Sequence, residues 1–454
     1  MSTTTRPRAT AEQRGWYFYD WANSAYITTI GTVLFAPYLT SVAEKAACGF
    51  AGDDDRKCTE NLHVLGLSLS AGSLVFYVVT LATVLSAFVL PIIGAVADRV
   101  ESKRRLMCGL AWAGSVVAAL MFFVTGDNWQ LGAVLLVVAN LFYGASIVVY
   151  DAILVDIAAP DDRDHVSSQG WAFGYLGGAL LLSLNLVVVT VKPFGLSTES
   201  AVRISLLSAA LWWAVFTIVP YRRIKDHPVR GAAPVEGVSL MQRSFGQLFR
   251  TLRELRGYPQ TLLFLVAYLF YNDGIQTVIY SASVYGEKEL GFGTSILITT
   301  ILIVQFVAFG GALIFGRVAA RFGGHRTIMG GLAVWVLVVC IGFFLPAEQV
   351  VPFFVLAVLI GLVLGGTQAL SRSFFSQLIP RGREAEYFSL YQACERGTSW
   401  FGTLVFGLVH QLTDSYRPAI LALIAFFVIG GTLLWRLDPR KGVIEAGNVP
   451  PAVL

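Results

Sequence analysis

The chain has 454 residues, of which 56% are hydrophobic and 14% are charged, and its formal net charge is +4. Soluble globular proteins carry about 25% charged residues, so this balance excludes an ordinary soluble domain and indicates a polytopic membrane protein. The net charge is small, and no nucleic-acid partner is expected.

Twelve apolar stretches are long enough to cross a membrane, because a spanning helix needs about 20 mostly apolar residues. We number them spans 1 to 12 in chain order: 16–40, 68–97, 105–125, 131–158, 168–191, 202–221, 260–286, 295–320, 326–346, 350–379, 386–412 and 416–436. The prediction is therefore an all-α polytopic membrane protein.

A polar connector at 222–258 divides the spans into six and six. The expected units are an N-terminal six-helix bundle at 1–221 and a C-terminal bundle with a short tail at 259–454. Apolar residues of the later connector share one helical face with arginines beside it, which predicts an amphipathic helix lying on the membrane surface. A plain tether with a solvated basic face is the alternative.

The basic residues fall mainly on one side of this layout. Most of the 33 Lys and Arg residues lie in the termini and in the loops of the same side. Cytoplasmic loops are enriched in Lys and Arg, so both termini are predicted to be cytoplasmic. In a bacterium the membrane would be the plasma membrane.

Two cysteines, Cys48 and Cys58, flank an acidic loop on the opposite side. They could form a disulfide if this loop faces an oxidising space, or they could be two free thiols. The histidines and cysteines show no metal-ligand spacing, so neither a metal nor another cofactor is expected.

An internal repeat relates the two halves of the chain. The segment "GAVADRVESKRR" (94–105) after span 2 aligns with "GRVAARFGGHRT" (316–327) after span 8, so that Gly94 matches Gly316. Two homologous six-helix halves are typical of one large class of transporters.

The loop after span 2 resembles the signature of the major facilitator superfamily, Gly-x-x-x-Asp-Arg-x-Gly-x-[Arg/Lys]-[Arg/Lys]. The matching residues are Gly94, Asp98, Arg99, Lys103 and Arg104. The second glycine of the signature is replaced by Glu101, and Ala320 stands at the aspartate position of the second half. The resemblance implies that Asp98 and its basic neighbours form a conformational latch between the halves.

Narrower motifs resemble the vacuole-effluxer-like branch, which contains fungal vacuolar amino-acid exporters and bacterial relatives. These motifs are "WYFYDWANSAY" in span 1, "SSQGWAFGYLGG" in span 5, "YNDGIQT" in span 7 and "GGTQALSRSFFSQLIP" in span 10. The resemblance covers nearly the whole chain and implies the fold of that superfamily, in which spans 1, 4, 7 and 10 line a central cavity.

Polar and charged residues are concentrated in the same four spans, and span 11 adds one carboxylate. The candidate substrate-binding or coupling residues are Tyr19, Asp20, Asn23, Ser24, Asp151, Asn272, Asp273, Gln276, Gln368, Arg372 and Glu395. A charge at membrane depth normally faces a protein interior or water, which favours a cavity.

For three of these residues the sequence leaves alternatives open. Asp20 could face the cavity or could lie at the membrane interface and pair with Arg14. The repeat places Arg372 opposite Asp151, so Arg372 could bind an anionic substrate group or close an inner gate by pairing with an aspartate. Glu395 could contact the basic loop 99–105 or serve in proton coupling.

Together these features predict a secondary active transporter and not an enzyme. There is no Gly-x-x-x-x-Gly-Lys-Ser/Thr phosphate loop and no soluble domain to supply ATP energy. The expected solute is small and polar or zwitterionic, such as an amino acid, moved by alternating access with a coupling proton. An exporter of amphipathic drugs or lipids and a non-transporting sensor are the alternatives. The expected partners are this solute and the lipid bilayer, and the protein is expected to be a monomer.

Overall fold

A computed structural model of the chain describes residues 9–49, 58, 60–64, 67–228, 251, 253–397, 399–413 and 415–454. Within these ranges, eleven helices are long and apolar enough to cross a membrane. They correspond to spans 1 to 10 and 12, in this order: Ala11–Cys48, Ala71–Ala97, Lys103–Phe123, Trp129–Ile157, Pro160–Val191, Thr198–Arg223, Pro259–Glu289, Ser295–Phe322, Gly324–Phe344, Val350–Gln377 and Tyr416–Trp435. The predicted all-α membrane architecture is confirmed.

Span 11 is described as two helices, Glu384–Gly397 and Ser399–Thr413. Residue 398 between them lies outside the described part of the chain. Each helix is shorter than the roughly 20 residues that cross a bilayer, and together they match the predicted stretch 386–412.

Span 1 is longer than its apolar stretch and is not a regular α-helix throughout. It begins with a capping box in which Thr10 and Gln13 each accept the other's backbone N–H through a side chain. Its middle part, Tyr26–Leu34, is π-helical, and span 7 also ends in a π-helical turn, Tyr285–Glu289. Single π-helical turns are frequent at functional sites, and both segments belong to helices that carry the polar motifs.

The segment before span 2 differs from the prediction. It forms a hairpin in place of a loop, and the span begins later than predicted. Residues Asn61–Val64 (β1) and Leu67–Ser70 (β2) pair as an antiparallel hairpin, so residues 68–70 lie in a strand and the span begins at Ala71. The sequence Leu-Ser-Leu-Ser of β2 alternates apolar and polar residues, which is the period of a strand. Cys48 and Cys58, for which two states were open, are joined by a disulfide.

The first and the last described residues of the chain lie at the same end of the helix bundle, which we call the termini end. Glu12 near the start of span 1 accepts a hydrogen bond from Lys225 after span 6, and Asn448 in the tail donates to the carbonyl of Gln377 at the end of span 10. The helix Pro439–Glu445 also lies there. Residues 229–250 and 252, where the amphipathic connector helix is predicted, are outside the described residues.

We call spans 1–6 the N-terminal half and spans 7–12 the C-terminal half. The halves pack where span 2 meets span 11 and where span 5 meets spans 8 and 10. Small residues permit close approach at these crossings, because a side chain on Gly316 of span 8 would begin 2.7 Å from Ser168 of span 5. This packing brings residues far apart in sequence to one site.

Candidate functional site

The arginine of span 10, Arg372, is buried at the contact between the two halves. Its Nε donates to Ser167 Oγ at 3.0 Å and its Nη2 donates to the Ser167 carbonyl at 3.1 Å. Its Nη1 is 3.4 Å from Asp151 Oδ1, and its Nη2 is 3.3 Å from Asp20 Oδ2. One cation of the C-terminal half is thus shared by two carboxylates of the N-terminal half.

Aromatic rings enclose this ion cluster. The ring centroids of Trp16, Tyr150 and Trp171 lie 4.7, 5.3 and 5.3 Å from Cζ of Arg372, within the range of cation–π attraction. The Tyr150 hydroxyl also donates to Asp20 Oδ2 at 2.6 Å, and its ring stacks on Trp16. The guanidinium therefore has charge and hydrogen-bond partners in place of water.

The structure decides between the two alternatives for Asp20. Its carboxylate contacts Arg372 and Tyr150 in the interior, so the alternative of an interfacial residue paired with Arg14 is wrong. Its predicted neighbours have other contacts. Asn23 donates to the Tyr19 carbonyl of its own helix, and the Tyr19 ring packs against Tyr150.

Ser24 faces span 5, because a side chain on Gly174 would begin 2.7 Å from its hydroxyl oxygen. Ser24 and Asn23 therefore share the predicted helical side with Asp20, but the contacts described for them are with span 5 and with span 1 itself. The structure brings only Asp20 of this trio to Arg372.

A second set of polar contacts extends from Asp151 into span 11. Gln392 Nε2 donates to Asp151 Oδ2 at 3.1 Å and to Glu395 Oε2 at 3.0 Å. Arg396 Nε donates to the carbonyl oxygen of the Gln392 side chain at 3.3 Å. Glu395 is therefore linked to the ion cluster, and its predicted alternative contact with the basic loop 99–105 is wrong.

Spans 7 and 10 join the same network. Asn272 Nδ2 donates to the Glu395 carbonyl at 3.2 Å, and Gln368 Nε2 donates to Asn272 Oδ1 at 2.9 Å. The hydroxyls of Tyr271 and Ser371 are 2.7 Å apart. The predicted residues Asn272 and Gln368 thus hold span 11 against the site.

Asp273 points elsewhere. Its Oδ2 accepts the backbone N–H of Gly402, in the second helix of span 11, at 2.8 Å. Gln276, one turn further along span 7, is half-buried. Neither residue has a described contact with the Arg372 cluster.

Sequence reasoning missed Trp16, Tyr150, Ser167, Trp171 and Gln392. None of them carries a charge, and uncharged polar or aromatic residues are common in the interior of any helix bundle. For two of them the sequence held a signal, namely their closeness to predicted site residues. Gln392 lies three residues before Glu395, and Tyr150 is adjacent to Asp151.

The residues of the predicted latch lie at the termini end. Asp98, one residue beyond span 2, accepts the N–H groups of Ala385 and Glu386 at 2.9 Å each. These N–H groups belong to the first turn of span 11, where a helix leaves its donors without internal partners. A side chain on Gly94 would begin 2.6 Å from the Ala385 carbonyl oxygen, so the closeness of the two helices requires glycine there.

Burial raises the pKa of Asp98 to about 7, although the charge of Lys103 and the two N–H donors act to lower it. Lys103 forms an ion pair with Asp156 at 3.0 Å and lies 3.9 Å from Glu384 of the other half. Arg104 binds Asp226, in the segment directly after span 6, at 2.9 Å. Arg99 is exposed beside them.

Further hydrogen bonds join the halves at the termini end. Arg163 Nη1 donates to the Ser376 carbonyl at 2.8 Å, and Ser373 Oγ donates to Asp164 Oδ1 at 2.5 Å. Gln377 Nε2 donates to the Pro160 carbonyl at 2.8 Å. With the contacts of Asp98 and Arg372, they hold this end of the molecule closed.

The paired halves and the buried site between them define a transporter of the major facilitator type, an integral multi-pass membrane protein. The fold of this chain superposes on the human organic anion transporter MFSD10 with a TM-score of 0.68 at 13% identity, covering 94% of this chain and 100% of the other. For the E. coli fucose:proton symporter the TM-score is 0.66 at 13% identity, with 94% and 98% covered. At such low identity these two similarities show the fold alone.

The chain belongs to the vacuole effluxer Atg22-like family, whose sequence model matches residues 8–447. An uncharacterized MFS-type transporter of Bacillus subtilis, YxiO, is 30% identical over 430 residues, which are 94% of this chain and 95% of the relative. Autophagy-related protein 22 of Pyricularia oryzae is 25% identical over 543 aligned positions, with 99% of this chain and 79% of the relative covered. The predicted resemblance to this family is confirmed.

Proposed function

We propose that this transporter moves amino acids or related small zwitterions by alternating access, coupled to protons. The observation that carries the proposal is the sharing of Arg372 between Asp20 and Asp151. The carboxylate of a zwitterion can replace an aspartate on the planar guanidinium fork, and the released aspartate can then bind the ammonium group. Substrate binding and opening of the closed end would thus use the same three side chains.

The charges of the site support coupling to a proton. The connected network contains three carboxyl groups, those of Asp20, Asp151 and Glu395, and two guanidiniums, those of Arg372 and Arg396. One negative charge is left over if every group is ionised, and an uncompensated charge at membrane depth costs several kcal/mol. A proton bound to a buried carboxyl group of the transporter reduces the negative charge held at this depth, and its release accompanies access to water.

The basic residues and the disulfide support one orientation of the protein in the membrane. We propose that the termini end is cytoplasmic, since most Lys and Arg residues lie there, and that the Cys48–Cys58 disulfide faces the opposite, oxidising side. The closed form is then shut toward the cytoplasm, with Asp98 acting as a latch that must release the first turn of span 11 before this side opens. We further propose that a single chain suffices for the cycle.

The test is counterflow of labelled amino acids into proteoliposomes that contain the purified protein. We expect at least one amino acid to exchange, its unlabelled form to compete, and a pH gradient to drive its accumulation. Its methyl ester, which lacks the carboxylate, and its N-acetyl derivative, which lacks the ammonium, should each compete at least tenfold less well. Exchange of no amino acid, or equal competition by an amphipathic amine without a carboxylate, would contradict the proposal.

A further inference from the structure

Asp273 and Thr277 lie one turn apart on span 7 and are both fully buried. Of the two carboxylate oxygens of Asp273, Oδ2 accepts the Gly402 N–H, and Oδ1 has no hydrogen-bond partner among the described residues. Within the same part of the chain, the Thr277 hydroxyl oxygen also has none. Buried polar atoms are nearly always hydrogen-bonded in native proteins, so an unpartnered carboxylate oxygen in the interior requires an explanation.

The ionisable groups described on the helices packed around Asp273 have partners elsewhere, and His410 of the second helix of span 11 stacks on Tyr416. On span 11, Glu395 binds Gln392, and Arg396 binds Gln392 and stacks on Tyr143. On span 10, Arg372 binds Asp20 and Asp151.

Spans 12 and 7 supply no counter-charge either. The charged residue of span 12, Arg417, pairs with Glu289 at the end of span 7. Lys288 pairs with the adjacent Glu287. Next to Asp273, Phe426 and Phe427 of span 12 pack against Gly274 of span 7. Among the residues that the structure describes, Asp273 therefore has no cationic partner.

Two electrostatic effects act on this carboxyl group in opposite directions. The Gly402 N–H that bonds Oδ2 favours the ionised carboxylate. A hydrogen bond to a charged group contributes about 1.5–3 kcal/mol. Complete burial of an unpaired charge costs several kcal/mol, so the neutral form prevails while Asp273 is enclosed.

The packing around Gly402 restricts what can neutralise the charge. A methyl group on Gly402 would lie 2.2 Å from Thr277 Oγ1 and 3.2 Å from the backbone oxygen of Asp273. A metal cation needs several oxygen ligands and the volume to hold them. A proton requires no added volume.

We infer that Asp273 is the binding site of the coupling proton in this transporter, an assignment that rests on the proposed proton-coupled function. In the closed form the proton is bonded to Oδ1, while Oδ2 keeps the Gly402 N–H. When span 11 moves and water reaches the carboxyl group, the Oδ1–H bond breaks and the proton passes to water. The carboxylate that remains is stabilised by the hydrogen bond from the Gly402 N–H, which allows release as well as binding.

The test compares wild type with Asp273→Asn, Asp273→Glu and the matched control Asp127→Asn in proteoliposomes. Asp127 is an exposed carboxyl between spans 3 and 4. Asparagine reproduces the neutral aspartic acid, so Asp273→Asn should keep amino-acid counterflow within about threefold of wild type. It should lose pH-driven accumulation and substrate-dependent proton flux by at least tenfold. Asp273→Glu should retain part of both, and Asp127→Asn should match wild type.

Accumulation by Asp273→Asn at the wild-type level would overturn the assignment. So would a folded Asp273→Asn protein, verified by its thermal unfolding, that has lost counterflow as well, since exchange does not require a proton carrier. If Asp273→Asn does not fold, Asp273→Glu decides: an unchanged pH dependence of its accumulation would reject Asp273, and a shifted one would support it. If wild type itself transports no amino acid, the proposed function fails first.

Discussion

Replacing Arg372 by glutamine removes the one cation that holds two buried carboxylates of the other half. Breaking a buried ion pair by removing one partner costs about 3–5 kcal/mol. In the variant, Asp20 and Asp151 have no counter-ion. Their repulsion is strong only while the termini end is closed, because water reaches both carboxylates when this end opens. The cost therefore falls on the closed form. At about 1.4 kcal/mol for each factor of ten, the equilibrium should move toward opening by roughly 140- to 3,700-fold.

The assay is the rate at which a thiol reagent labels Ser168→Cys in a protein without Cys108, Cys340 and Cys394. Ser168 is buried in the closed form, where it packs against Gly316 of the other half, and its hydroxyl makes no hydrogen bond to any described residue. Substitution by cysteine therefore removes no hydrogen bond. We expect Arg372→Gln to raise the labelling rate by at least a hundredfold.

The matched control is Arg417→Gln. Arg417 also pairs with a glutamate, Glu289 at 3.1 Å, but within the C-terminal half. Its replacement should leave the labelling rate unchanged. Adding Asp151→Asn to Arg372→Gln should lower the rate again, because one of the two unpaired carboxylates is gone. An Arg372→Gln rate equal to that of the parent, or an equal rise in the control, would refute the reasoning.

The contact of Arg372 with Asp20 also determines the effect of exchanging the charges of Asp151 and Arg372. The combination Asp151→Arg with Arg372→Asp keeps the pair but places a carboxylate where the guanidinium now meets Asp20 at 3.3 Å. Two like charges would then be buried together. We expect no recovery of transport from this exchange, whereas a simple two-residue gate would recover in part.

Four further outcomes are expected. Asp98→Asn should slow transport while substrate affinity stays within a few fold, and a collapse of affinity with unchanged labelling kinetics would contradict the latch. Burial raises the pKa of Asp98 to about 7 in the closed form, so protonation of Asp98 favours closure at low pH, and this contribution is lost as the pH rises through 7. The labelling rate of Ser168→Cys should therefore increase from pH 6 to 8. The increase should be smaller in Asp98→Asn. Gly94→Ala places a methyl group 2.6 Å from a backbone oxygen of span 11 and should speed the same labelling, whereas Gly109→Ala, which meets nothing within 4 Å, should not. After reduction, Cys48 and Cys58 should react with an impermeant thiol reagent in intact cells, and reaction only after lysis would reverse the proposed orientation.

The sequence by itself determined the helices and the superfamily. Hydrophobic length is a local property that the bilayer imposes on each span separately, so the stretches could be read without knowing their neighbours. The repeat and the Gly94–Asp98 motif are likewise contiguous strings of residues. A local exception, the hairpin before Ala71, was missed because a length criterion averages over it.

The partners of the buried charges were decided by the tertiary structure. Depth along a helix follows from residue number, which is why Asp151 could be matched with Arg372 through the repeat. The direction of a side chain toward a neighbouring helix depends on helix rotation and crossing, which no local pattern specifies. Asp20 and Arg372 are 352 residues apart in sequence and meet only because spans 1, 4, 5 and 10 converge. Asp273, on the same polar motif as Asn272, faces Gly402 for the same reason: successive residues of a helix point about 100° apart, and packing alone decides what each one meets.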